Sequence, residues 1–158
     1  MSTESGGIDI RKKFLNLVPV EENSYRSDIQ LLDRYQAYSA ELLRLSLAGL
    51  GVVGFLVTNK LVTERPVKIC LMIGIILFGV SSGAALGHRY FSSDGIHHLL
   101  KAIRLSSRID PDESRIKCEG DLMKAKYKRS WTYLRIACVS LALGALAVSL
   151  GFVIAALL

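Results

Sequence analysis

The residues with types suited to chemistry gather beyond one apolar run, in the stretch from Ala85 to Trp131, which holds every histidine and the only tryptophan. His88, Asp94, His97, His98 and Cys118 form the one candidate ligand set. On a continuous helix, Asp94 and His98 share a face, while His97 points about 100° away from His98. A zinc centre calls for a spacing such as His-Glu-x-x-His or paired Cys-x-x-Cys, and neither is present. The histidines therefore read as interfacial or packing residues, and no metal or other cofactor is expected.

Nucleophilic chemistry fares no better. Ser46, Ser81, Ser82, Ser140 and Ser149 lie in apolar runs with no histidine or carboxylate at the same depth to act as base or orienting acid. Ion-coupled transport would leave an acidic or histidine residue within a run, and none is there. An internal repeat of the secondary-transporter kind is also missing. No enzymatic activity is expected. Cys70 and Cys138 sit inside apolar runs, where a thiol acts as a small apolar group, and Cys118 is expected to face a reducing compartment, so no disulfide is expected.

The elements that must position these residues are apolar helices. The chain has 158 residues, 51% of them hydrophobic, with net charge +6 and a mean hydropathy of +0.35. That leaves little polar surface for an ordinary soluble domain. Crossing a hydrocarbon core of about 30 Å takes about 20 mostly apolar residues. Runs of this kind lie at about 42–61, 67–87 and 136–158. The first is flanked by Arg44, Asn59 and Lys60, whose long basic stems can snorkel toward headgroups. A buried helix of a soluble fold is the other reading of that run.

The first forty residues lack a signal-peptide pattern, so the first span is expected to direct insertion. Lys and Arg are dense before span one and throughout 88–135, and sparse in the connector carrying Lys60, Arg65 and Lys68. The positive-inside rule then places the amino terminus and 88–135 in the cytoplasm and the carboxy terminus outside, in a multi-pass protein of the plasma (inner) membrane. Tyr35, Tyr38, Tyr90, Tyr127, Trp131 and Tyr133 fall at that same interface, where an aromatic ring can be dry and its polar atom wet. Packing inside a helical bundle would suit the same residues.

Lys124, Lys126, Lys128 and Arg129 cluster where the last helix should meet the bilayer, so anionic lipid headgroups are their expected partner. No Gly-rich phosphate loop or nucleic-acid motif accompanies them, and no nucleic-acid partner is expected.

Helix limits follow from local chemistry. Ser27 to Gln30, "SDIQ", has capping-box form, which starts a first helix ahead of span one. Pro66 suits the first turn of a second helix, which the spacing of Ile96, Leu99, Leu100 and Ile103 carries to about Ser107, with Gly95 as a kink position. Asp110-Pro111 turns the chain, and a third helix runs from Asp112 into span three. The fold class is therefore an all-α integral membrane protein whose helical extensions form a cytoplasmic stalk. Residues 1–26 make a polar segment in which Ile10, Phe14, Leu17 and Val18 would share one face, either as an interfacial helix or within a disordered tail; 27–158 form a single membrane domain.

Small residues recur four apart in the spans: Gly79, Gly83 and Gly87 in the second, and Ala147, Gly151 and Ala155, with Gly144, in the third. Such faces let helix backbones approach closely, and their number predicts a homo-oligomer.

The layout of a helical pre-segment, two close spans and a basic helix opening with "HRYFSSDGIHHLLKAIRL" resembles the SLATT families over 27–107. These are small bacterial membrane proteins regarded as pore-forming effectors of antiviral or self-elimination systems. The third span departs from their two-span pattern. The resemblance implies an oligomeric membrane effector controlled through its stalk; the alternative is a non-catalytic anchor or scaffold that recruits a cytosolic or membrane partner.

Overall fold

The computed structural model describes residues 22–58, 64–106 and 112–157. Among them the chain is all helical, with α1 at Glu22–Thr58, α2 at Arg65–Ser106 and α3 at Glu113–Leu157. Each helix is long and apolar enough to cross a membrane, as a multi-pass membrane protein requires. With 42 and 45 residues, α2 and α3 measure about twice the ~30 Å of a hydrocarbon core. Their charged halves must therefore extend beyond their apolar halves.

The helix limits have local causes. Pro66 lies in the first turn of α2, where its missing N–H is not needed. Asp112 caps α3: its Oδ1 accepts from the Arg115 backbone N–H at 3.2 Å and from the Ser114 hydroxyl at 2.6 Å. Both hydrogen bonds hold the Asp112 carboxyl below its ordinary range. Helix α1 corrects the sequence reading, because it begins at Glu22 and the capping-box spacing at Ser27 falls inside it. Nothing at Ser27 breaks the helical ladder. Gly95 does not interrupt α2, which is continuous through it. The apolar face expected at Ile10 to Val18 lies outside the described residues.

Helices α2 and α3 pack along most of their length, while α1 lies mainly against α2. The α2–α3 register is antiparallel, running from Val67 beside Gly151, through Phe78 beside Gly144, to Gly95 beside Tyr127. Buried positions follow a common rule. In α1 they are Ser39, Leu42, Ser46 and Val53. In α2 they include Val67, Leu71, Gly74, Phe78, Ser81, Ala85, His88, Ser92 and Gly95, and in α3 Ser130, Leu134, Ala137, Gly144 and Gly151. Steps of three and four alternate, so each seam repeats about every seven residues, the spacing at which helices keep facing each other.

Most seam residues are small. Many large apolar residues point outward, with Ile76 61% and Leu146 65% exposed. Small side chains let the backbones approach until hydroxyls reach across: Ser46 Oγ shares its one proton between the Leu42 carbonyl at 2.7 Å and Ser81 Oγ at 2.8 Å, and Ser81 Oγ donates to the Ala137 carbonyl at 2.8 Å. That chain of two bonds ties all three helices together at a fully buried point.

Candidate functional site

The region where the apolar halves give way to the charged hairpin gathers nearly every residue of chemical interest. Asp94, His98 and Lys101 lie within about two turns on one side of α2, facing Glu119 and Lys126 on α3. Lys126 Nζ is 2.6 Å from Asp94 Oδ2, and His98 Nδ1 donates to Glu119 Oε2 at 2.7 Å, while Lys101 pairs with the other Glu119 oxygen. His98 Nε2 stands 3.9 Å from Asp94, closing the ladder. The Lys126 ammonium holds the Asp94 carboxyl below its ordinary range, and Lys101 and then His98 do the same for Glu119.

Asp94 and His98 do share a face, as their spacing predicts, but lysines occupy the carboxylates. Among the described residues, no group of three His, Cys, Asp or Glu side chains is placed to hold a metal ion. Within the cluster read as lipid contacts, Lys126 is set apart. It reaches sideways to Asp94 and lies 5.7 Å over the Phe91 ring, with its side chain 25% exposed, whereas Lys124, Lys128 and Arg129 stay exposed. A step of two residues turns a helical side chain by about 200°, so Lys126 cannot share a face with Lys124 or Lys128.

The aromatic residues also pack between helices. Tyr35 meets Trp131 edge-on at 5.3 Å, and Phe91, itself edge-on to Tyr90, stacks on Tyr133 at 5.3 Å. Tyr38 brings its hydroxyl to 3.5 Å from Cys138 Sγ. Glycines make room for two of these rings, since a Cβ on Gly87 would lie 2.9 Å from Tyr133 and one on Gly95 3.1 Å from Tyr127.

The glycines expected at helix contacts separate into two groups. Gly144 and Gly151 stand at close approaches, where a Cβ would meet Phe78 at 3.0 Å and Cys70 at 3.2 Å. Ala147 is half-buried. Gly79 and Gly83 have nothing within 4 Å, and Ala155 is exposed. Gly49 and Gly74 carry close contacts that the four-residue spacing does not mark, with a Cβ at 2.7 Å from Phe78 and from Val148 respectively. A spacing of seven marks the seam: Gly74, Ser81, His88 and Gly95 on α2, answered by Ser130, Ala137, Gly144 and Gly151 on α3.

Beside the ladder, the three helices line a cleft of about 430 Å³. Its α1 wall is Leu31, Leu32 and Tyr35; α2 contributes His88, Ser92 and Leu99; α3 contributes Met123, Tyr127, Ser130, Trp131 and Leu134. His88 is 4% exposed, and its Nδ1 is buried with no hydrogen-bond partner. Its backbone carbonyl accepts from Ser130 Oγ at 3.2 Å. Burial, with a smaller effect from Arg89, pushes the His88 imidazole below its ordinary pKa, which leaves it neutral near pH 7. A mostly apolar cleft of this size, with His88, Ser92 and Ser130 in its lining, has the dimensions of a small-molecule site. No family model, curated protein or solved structure matches the chain, so its function is read from this arrangement of residues.

Proposed function

We propose that the chain is an integral membrane protein that crosses the bilayer with all three helices, assembles with copies of itself, and acts as a pore-forming or membrane-disrupting effector controlled through a cytoplasmic stalk. In this reading 88–135 and the amino terminus are cytoplasmic and the carboxy terminus lies outside, as the basic-residue distribution favours. The SLATT-like layout gives the same class of function. The reading is non-catalytic: the buried Ser46 and Ser81 use their hydroxyls for helix contacts.

One observation carries the proposal. Gly79 and Gly83 lie on an outward face of α2, beside exposed Ile76, Val80 and Leu86, and among the described residues nothing comes within 4 Å of a Cβ built at either. Small residues four apart in a lipid-facing position suit close approach of a second helix, so another copy is the natural cover. The test is disulfide trapping in a background lacking Cys70, Cys118 and Cys138. Gly83→Cys should give a cross-linked dimer, Gly74→Cys should not, and expression of the parent chain should admit a small impermeant dye. Monomer at both positions would sink self-assembly. A dimer without dye entry would favour the second reading, a membrane anchor, for which the exposed Leu122 between Lys117 and Lys124 on the stalk is a docking patch.

A further inference from the structure

The cleft around His88 has features that helix packing does not require. A packed seam would place a small or apolar side chain at this position, yet the residue is an imidazole with a buried, unpartnered Nδ1, and leaving such an atom unpaired is unfavourable. The neighbouring walls are Leu31, Leu99, Met123, Tyr35 and Trp131, and His88, 4% exposed, closes one end of the cleft. From His88 to Leu99 it extends about 16 Å along the helix axis, the reach of an extended alkyl chain rather than of a compact metabolite. No Lys, Arg, Asp or Glu lines it. Charge complementarity therefore selects an uncharged polar group to accompany the apolar body.

We propose that this cleft binds an uncharged single-chain amphiphile drawn from the adjoining bilayer leaflet, a monoacylglycerol in chemical class, with the tail along the leucine, methionine and aromatic walls and a hydroxyl or ester carbonyl hydrogen-bonded to His88. Ser92 and Ser130, which also line the cleft, place further hydroxyls near that end. The amphiphile touches all three helices, including α1, which has few other contacts with α3. Its binding therefore fastens α1 to the hairpin at the root of the stalk.

The inference rests on the membrane placement proposed above, and the two fail separately, because labelling of Cys118 tests the placement while ligand capture tests the cleft. The full chain in nanodiscs is irradiated with a diazirine-bearing monoacylglycerol, and modified peptides are mapped. Labelling should concentrate on 31–35 and 123–134 and be competed by unlabelled monoacylglycerol. Leu99→Trp, which fills the cleft from α2, and Met123→Trp, which fills it from α3, should each reduce capture about tenfold. His88→Leu should reduce capture several-fold for the monoacylglycerol and leave capture of an alkyl diazirine lacking oxygen unchanged. Retained helicity and elution volume identify variants that still fold, and the competition with unlabelled ligand in the parent chain needs no variant. Uniform labelling along outward residues such as Ile76 and Leu146, or capture unaffected by both tryptophans, overturns the proposal. So does stronger capture of a diazirine fatty acid, which would give the cleft an anionic occupant, or cross-linking of a photoreactive residue at position 99 to 1–21, which would give it to the chain's own amino-terminal segment.

Discussion

The ring of Phe78 on α2 occupies the place where a side chain on Gly49 of α1 would begin: a Cβ there would lie 2.7 Å from Cε2 of the ring. Its other edge faces Gly144 of α3, where a Cβ would lie 3.0 Å from Cδ1. Phe78 is thus a knob held between glycines of two helices, and it joins Val53, Val67 and Leu71 in the core of the apolar half.

Gly49→Ala should therefore destabilise the fold by about 1–3 kcal/mol, the usual range for overpacking a filled core. Phe78→Leu in the same chain should recover part of that loss, although Phe78→Leu alone destabilises. Reversible unfolding in mixed micelles measures both. A Gly49→Ala chain as stable as the parent would show that the ring moves freely.

Ser81 is the middle of a hydroxyl chain, so its removal breaks two links. Ser81→Ala should cost about 0.5–2 kcal/mol, within the range of interhelical hydrogen bonds in membranes. Ser46→Ala should cost less, because Ser81 keeps its bond to the Ala137 carbonyl. The order of the two losses is what the measurement decides.

Asp94 and Glu119 have carboxyl pKa values depressed in the folded chain by Lys126 and by Lys101 with His98. The unfolded chain therefore binds more protons in acid, and stability rises with pH there. The contribution of the ladder is complete above the ordinary carboxylate range and is lost as pH falls through the depressed folded values. Thermal unfolding should be insensitive to these groups at neutral pH and decline in acid, and Asp94→Asn with Glu119→Gln should flatten the acid limb while lowering the neutral plateau. Exchanging Asp94 and Lys126 for each other should restore more of the plateau than either single change.

Topology is checked through Cys118, which is exposed, while Cys70 and Cys138 are half-buried in the apolar halves of α2 and α3. A membrane-impermeant maleimide should modify Cys118 only after the cells are opened. Labelling in intact cells would reverse the orientation and place the stalk outside.

The sequence by itself determined the elements, because their causes are local. Three apolar runs of spanning length, Pro66 inside the first turn of α2, Asp112 as the cap of α3 and the unbroken passage of α2 and α3 from apolar to charged halves are all legible within a few turns of chain. Only the tertiary structure decided which face of each helix is inside. In a soluble helix the buried face is the apolar one, but here every face of the spans is apolar, and hydropathy carries no contrast. Size carries it instead, and two size patterns compete on α2: Gly79, Gly83 and Gly87 spaced by four, and Gly74, Ser81, His88 and Gly95 spaced by seven. Antiparallel packing against α3 selects the second, since a seven-residue repeat keeps two helices in register over many turns, while a four-residue repeat drifts around the axis by about 40° per step. The same packing turns Lys126 toward Asp94 and leaves Lys124 and Lys128 outside, a distinction that charge and proximity in sequence do not contain.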